Sequence, residues 1–260
     1  MLTVVAEALK SPEEVNGIAS AEDSVQPDLF TEVREIAADP ELALRLMKRL
    51  RIEVPHSALL DIGYCFLSEE PGIDLVIFSY IRLIFGEGRR VIGNFADPTV
   101  LRIRRTSDRV AYEIHRLHGF IRFRKLAGSL YYSPIEPDHN VVQFLAPHFS
   151  ARFADQRWLI HDMKRDTGIY YDGERCRFLP RVEMNRGVAE ESGVYSVNRA
   201  PMRLLEADEM DYQKLWDEYF RSIAIAERRN PKAQRQRMPA RYWRYLVEDV
   251  AGFNRELDGD

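Results

Sequence analysis

Long apolar runs, paired cysteines and the familiar catalytic motifs are all missing from this 260-residue chain. No apolar stretch approaches the roughly 20 residues needed to cross a bilayer. The opening residues lack the charged-then-apolar order of a secretory signal. The sequence therefore predicts a cytoplasmic protein with no membrane partner. The only two cysteines, Cys65 and Cys176, are far apart and outside any CxxC pattern. That spacing argues against a disulfide framework, a cysteine zinc site or an iron–sulfur cluster held by this chain alone. GxSxG, P-loop, GxGxxG and HExxH are absent as well. Nucleophilic hydrolysis, nucleotide-dependent chemistry and hydride transfer get no support, and neither a cofactor nor a metal site is expected.

What is present is an ordinary globular composition, 45% hydrophobic and 30% charged, in a chain long enough for one large domain or two small ones. The net charge of -4 hides an uneven distribution. Residues 101–125 carry eight positive groups against Asp108 and Glu113, a balance of +6. Residues 227–244 carry seven against Glu227, again +6, which leaves -16 for the remainder. Two concentrated basic regions in a mildly acidic chain suit a polyanionic partner. The bland alternative is a set of surface ion pairs.

Periodicity predicts helix at both ends and strand in the middle. Residues 2–9 suit a short buried helix or strand. Ser11-Pro12-Glu13-Glu14 reads as a capping box, and 31–36 as a short strand. Asp39-Pro40 starts a helix with Leu42, Leu46, Met47 and Leu50 inward. A second helix covers 56–67, with Leu59, Leu60 and Phe66 as its apolar members. A third opens at Pro71-Gly72 and is closed by Gly86 and Gly88.

Asp97-Pro98 begins a helix in which Val100, Ile103, Ser107, Val110, Ile114 and Leu117 repeat at spacings of three and four. Arg102, Arg105, Arg109, Tyr112 and Arg116 repeat two residues later, about 200° around the axis. One face should pack on the core while the other offers guanidinium groups, which fork two hydrogen bonds to one phosphate.

From Gly119 the period changes to two. Residues 120–126, 130–135, 157–162, 168–173 and 176–180 read as strands, with a hairpin turn at Ala127-Gly128-Ser129. A helix around 140–153 should place Val141, Phe144, Leu145 and Phe149 inward and bend at Pro147. The expected fold is α+β: a helical part over 1–97, then a mainly antiparallel sheet of about five strands over 98–180 with helices on one side. A linker or long loop over 181–206 and a basic helical region over 207–260 follow. In the last region a helix from Asp208 should bury Tyr212, Leu215, Trp216, Tyr219, Phe220 and Ile223, and Asn230-Pro231 should stop it.

Three constellations invite chemistry. His115 and His118 form an HxxH pair, more simply read as histidines at a helix C-terminus. Glu136-Pro137-Asp138-His139 could be an acid–base cluster or a plain helix start. His161-Asp162 ends a strand, where neighbours point to opposite faces. Candidate catalytic residues are thus His118, Glu136, His139 and His161. Candidate nucleic-acid contacts are Arg102, Arg105, Arg109, Arg116, Arg122, Arg124, Arg228, Arg229, Asn230, Gln234, Arg235, Arg237 and Tyr242. The segment 231–246 mixes arginine, glutamine and aromatic residues, which supply phosphate contacts, amide hydrogen bonds and stacking planes.

HGFIRFR (118–124), YYSPIEPDH (131–139), LAPHFSARFADQRWLIHD (145–162), YYDG (170–173) and IAIAERRNPKAQRQRMPARYW (223–243) together resemble an uncharacterised bacterial family described only in terms of DNA metabolism or repair. QPDLFTEVREI (26–36) and FLSEEPGIDL (66–75) extend the resemblance. It implies a gene neighbour of the radical S-adenosylmethionine class, relatives fused to a uracil-DNA glycosylase-like domain, and an opening strand near Tyr-Asp-Gly-Ser-Phe where this chain reads Met1-Leu2-Thr3. It carries over no catalytic residue. The function expected is a DNA-binding accessory protein that presents nucleic acid to such a partner, whose own cluster would make cysteines here unnecessary. The alternatives are an enzyme acting on a DNA base or end, and a non-catalytic scaffold for the repair partner.

Overall fold

Helix α2 (Pro40–Glu53) begins where its side chains dictate. The Asp39 carboxylate accepts from the Leu42 N–H at 3.0 Å, and Pro40, which has no N–H to satisfy, fills the first helical position. The computed structural model describes residues 1–11, 15–19, 32–126, 129–183, 190–191, 194–196, 208–223 and 230–247. The chain divides into two compact units, Met1–Tyr112 and Glu113–Asp260, and the division falls inside one continuous helix, α5 (Pro98–Phe120).

The first unit is helical: α1 (Leu2–Ala8), α2, α3 (His56–Leu67), α4 (Ile73–Glu87), a 3-10 turn at Arg89–Gly93 and the start of α5. Leu46, Leu50, Ala58, Ile62, Ile77, Ile81, Val100 and Ile103 form its core. Thr3 ties α1 to the start of α2, donating to the Asp39 carbonyl at 3.2 Å and accepting from the Asp39 N–H at 3.1 Å. Two expectations change here. α3 buries Ala58, Ile62 and Cys65, while Leu60 and Phe66 are 39% and 48% exposed. Ala58, Ile62 and Cys65 join the core cluster of this unit, and Leu59 is partly buried against it. Residues 32–36 form no strand. The capping-box residues 12–14 lie outside the described residues.

The second unit holds a five-stranded sheet in the order β1 (Arg124–Leu126), β2 (Leu130–Ile135), β3 (Arg157–Asp162), β4 (Thr167–Tyr171), β5 (Cys176–Leu179). The class is α+β, and three of the four pairings are antiparallel. The exception is β2 with β3, which run parallel from Leu130↔Arg157 to Ile135↔Asp162, with Pro134 opposite His161. Parallel neighbours need a crossover, and helix α6 (Val142–Arg152) provides it. A mainly antiparallel sheet is thus what forms, and the one parallel step was not legible because period-two strands look alike in either direction.

Trp158 on β3 meets Phe149 of α6, Phe123 and Tyr171 on one face. Leu126, Tyr132, Leu159, Tyr170, Leu179 and Val182 pack together on the other. Gly168 permits the close approach between them: a Cβ there would sit 2.9 Å from the Ile160 carbonyl oxygen and 2.9 Å from a Val182 methyl. Pro147 is inside α6 without ending it, and Phe144 is 37% exposed rather than inward.

The stretch 181–206, expected as loop, contains β6 (Val182–Glu183), β7 (Glu190–Glu191) and β8 (Val194–Ser196), ordered β6-β8-β7. Helix α7 (Glu209–Ile223), helix α8 (Pro231–Arg237) and a 3-10 turn (Ala240–Tyr245) follow. Tyr212, Leu215, Trp216 and Tyr219 of α7 are exposed rather than inward. Asn230-Pro231 starts α8, where the Asn230 side chain accepts from the Ala233 N–H; residues 224–229, through which α7 was expected to run to that stop, lie outside the described residues. Among the described residues, no helix is long and apolar enough to cross a membrane.

Candidate functional site

Helix α5 is the longest helical element and carries the first candidate surface. Asp97 caps it, accepting from the N–H groups of Thr99 and Val100. Val100, Ile103, Ser107, Val110, Ile114 and Leu117 are all buried, as their spacing requires. Arg102, Arg105, Arg109 and Tyr112 are exposed, whereas Arg116 is half-buried. The stripe is only partly neutralised. Arg109 pairs with Glu70 and donates to Thr106, and Arg104, beside the stripe, pairs with Asp108. For Arg102 and Arg105 no acidic neighbour within ion-pair distance is found among the described residues.

The remaining cationic candidates do different work. Arg122 donates to the carbonyls of Gly119 and Ile121 and lies 5.8 Å from the Trp216 ring centre. Arg124 is half-buried, and burial lowers its guanidinium pKa despite the nearby Glu209. Asn230 caps α8, and Arg237 is exposed. Gln234 and Arg235 fall on α8. Arg228 and Arg229 lie outside the described residues. Tyr242 corrects the expectation of a stacking residue: it is 3% exposed, with its hydroxyl on Glu113.

That contact belongs to a polar cluster at the carboxyl ends of β2 and β3. Glu113 projects from α5 and is 1% exposed. Its oxygens accept from the Asp138 N–H at 2.9 Å, the His139 N–H at 3.0 Å and the Tyr242 hydroxyl at 2.5 Å. His139 Nδ1 adds a fourth contact at 2.5 Å. Burial alone would raise the Glu113 pKa. The hydrogen bonds from His139, Tyr242 and the two backbone groups outweigh it and bring the carboxyl down to about 2. A carboxylate held so far into its ionised form, with both oxygens engaged, is a clamp rather than a proton acceptor.

Glu136 takes the Tyr245 hydroxyl at 2.5 Å and pairs with Arg244. Arg165 reaches the carbonyls of Pro137 and Asp138 while pairing with the buried Asp162 at 2.9 Å. Lys164 also donates to the Asp138 carbonyl. Burial pushes the Asp162 carboxyl above its ordinary value, although Arg165 and two backbone N–H groups oppose the shift.

The four catalytic candidates do not converge. His139 is bound to Glu113, and Glu136 to Tyr245 and Arg244. His118 stacks on His148 with ring centres 4.2 Å apart. His161 is fully buried, with Nδ1 3.0 Å from the Tyr132 hydroxyl and Nε2 3.8 Å from Asp166. Among the described residues no contact joins any two of the four, and no group of three ligating side chains could hold a metal.

Burial lowers the His161 pKa from 6.5 to about 4, and Asp166 only partly counteracts it. Folding therefore prefers the neutral ring, so this stabilisation is complete above pH 6.5 and is lost as the pH falls toward 4. At about 1.4 kcal/mol per unit, roughly 2–3 kcal/mol should disappear over that window. Glu113 has the same sign but a lower window, from 4.5 toward 2. Urea denaturation at pH 7 and pH 4.5 should show the loss, and His161→Phe should flatten it. An equal loss in that variant would show that another group is responsible.

Sequence reasoning passed over Glu113, counting it only as charge. The available signal was its position: a single carboxylate one step before Ile114 and four before Leu117, on the apolar side of α5.

A family model described as a domain of unknown function, DUF4130, matches residues 71–248. In the comparisons with curated proteins and with solved structures, nothing matches.

Proposed function

Since this chain belongs to the DUF4130 family, whose domain has no assigned function, we propose from its surface chemistry that it is a binding protein for DNA, without catalysis of its own. The observation that carries this reading is the two-sided character of α5. One side is buried to within 7% at Val100, Ile103, Val110, Ile114 and Leu117, while Arg102, Arg105 and Arg109 are exposed on the other. Neighbouring guanidinium groups along a rigid helix meet successive phosphates without losing backbone freedom on binding. The resemblance to proteins of DNA metabolism or repair supports the same reading. In that setting the bound DNA is presented to a partner of the radical S-adenosylmethionine class, which does the chemistry. The separate environments of His118, Glu136, His139 and His161 favour binding over catalysis.

Fluorescence anisotropy with labelled single- and double-stranded DNA over a salt series tests the reading. Affinity should fall steeply with salt because neutralised phosphates release counterions. Arg102→Ala with Arg105→Ala should weaken binding to all sequences alike and reduce the log–log salt slope by about 2. Absence of binding to either form of DNA at low salt would end the proposal.

A further inference from the structure

Between α4 and the first turns of α5 the surface of the helical unit sinks into an open pocket of about 250 Å³, lined by Leu75, Val76, Ser79, Pro98, Thr99 and Arg102. Its floor is firm, since Leu75 and Val76 are half-buried and pack against the core of this unit. Its polar groups are uncommitted. The Ser79 and Thr99 hydroxyls make no hydrogen bond among the described residues, and Arg102 makes neither a hydrogen bond nor an ion pair there. Arg105, one turn further along α5, is exposed and has no acidic partner among the described residues either.

Size decides how much of a ligand enters. Pockets for drug-sized molecules begin at roughly 300 Å³. This one has room for a single heterocycle, not for a sugar and phosphate as well. Charge decides which part goes in. Asp97 precedes the pocket residue Pro98, and its carboxylate is held on the N–H groups of Thr99 and Val100. It occupies the helix-terminal donors that would bind an anion, and it repels a phosphate placed beside them. A neutral ring meets no such penalty, and phosphates belong outside, at Arg102 and Arg105.

We propose that this pocket receives one unpaired base of a DNA strand whose phosphates lie along Arg102 and Arg105. The proposal rests on the reading of α5 as a DNA-binding face and adds a preference that guanidinium groups alone do not supply. The ring lies against Leu75 and Val76, and the Arg102 guanidinium offers a plane on which an aromatic system stacks. Ser79 and Thr99 meet its edge. A hydroxyl rotates to donate or accept, so these two serve every base and discriminate little between them. A base within a duplex is stacked and paired and cannot enter. The protein therefore selects strands that offer a bulged, mismatched or single-stranded nucleotide.

The test compares labelled duplexes of one sequence by fluorescence anisotropy at a fixed low salt. One is fully paired, one carries an extra unpaired thymidine, and one carries an abasic residue in its place. The duplex with the unpaired base should bind about tenfold more tightly than the paired one, the scale of one stacked base. The abasic duplex, with the same break in its backbone, should bind like the paired one. Ser79→Leu fills the pocket and should bring the affinities for the unpaired-base and abasic duplexes together. Thr99→Val, which removes one hydroxyl, should narrow the same gap. If Ser79→Leu does not fold, the abasic comparison in the parent protein decides. Equal tight binding of the abasic and unpaired-base duplexes would mean that backbone flexibility is read, and overturns the proposal. So does a preference that folded Ser79→Leu leaves intact. Equal binding of all the duplexes removes the pocket and leaves the arginine face standing, whereas no binding to any of them removes both.

Discussion

Glu113→Ala should destabilise the second unit by about 3–5 kcal/mol, the range for removing one partner from a buried, hydrogen-bonded charge cluster. The size follows from the number of segments that meet at one carboxylate. Glu113 connects α5 with the loop after β2, through the N–H groups of Asp138 and His139 and the His139 ring, and with the 3-10 turn at Ala240–Tyr245, through Tyr242. Alanine leaves two backbone donors, an imidazole and a phenol facing a void. Glu113→Gln retains the shape but replaces one acceptor oxygen by a donor, so it should lose an intermediate amount. Tyr242→Phe removes a single bond and should cost about 1–2 kcal/mol. Urea denaturation at pH 7, followed by tryptophan fluorescence, gives the ranking. A Glu113→Ala variant within 1 kcal/mol of the parent would show that the cluster does not hold these segments together.

Arg165→Met should be nearly as damaging, about 3 kcal/mol at neutral pH. Asp162 is wholly buried, and Arg165 supplies its cation while also holding the Pro137 and Asp138 carbonyls. Methionine replaces the stem of the side chain but leaves a buried carboxylate without that cation. The Asp162 carboxyl already sits above its ordinary value because of burial. Loss of Arg165 raises it further, so the proton that relieves the unpaired charge binds more readily as the pH falls. The deficit relative to the parent should therefore shrink between pH 7 and pH 5. A deficit that stays constant or grows on acidification would mean that the lost carbonyl contacts, rather than the orphaned carboxylate, dominate.

The elements legible in the sequence are those in which side chain and backbone ask for the same thing. Asp39-Pro40 and Asp97-Pro98 mark helix starts by capping chemistry that needs no tertiary information. Leu130–Ile135 and Arg157–Asp162 are strands because β-branched and aromatic residues fill them. Strand direction was not legible: whether Ile135 runs alongside Asp162 or against it depends on the crossover through α6, not on either strand's residues. The inward faces of α3 and α7 were misread for one reason. Periodicity locates a stripe, but a neighbour decides which side is covered. Ala58 joins the core cluster while Leu60 stays outside, and Glu209 wins over Tyr212 where Arg124 waits inside. The meeting of Glu113, His139 and Tyr242 joins positions separated by up to 129 residues, a distance no local pattern spans.

Pro134 spares β2 an orphan. Ile135 gives its carbonyl to Met163 on the β3 side, so in the alternation of a strand Pro134 points its nitrogen to the opposite side, where β1 has already ended at Arg124↔Tyr132. That end of β2 is buried, and the 3-10 turn at Ala240–Tyr245 lies against the strand. Any other residue at 134 would bring a backbone N–H there with no neighbouring strand to take it, and a buried donor left without an acceptor costs about 1–3 kcal/mol.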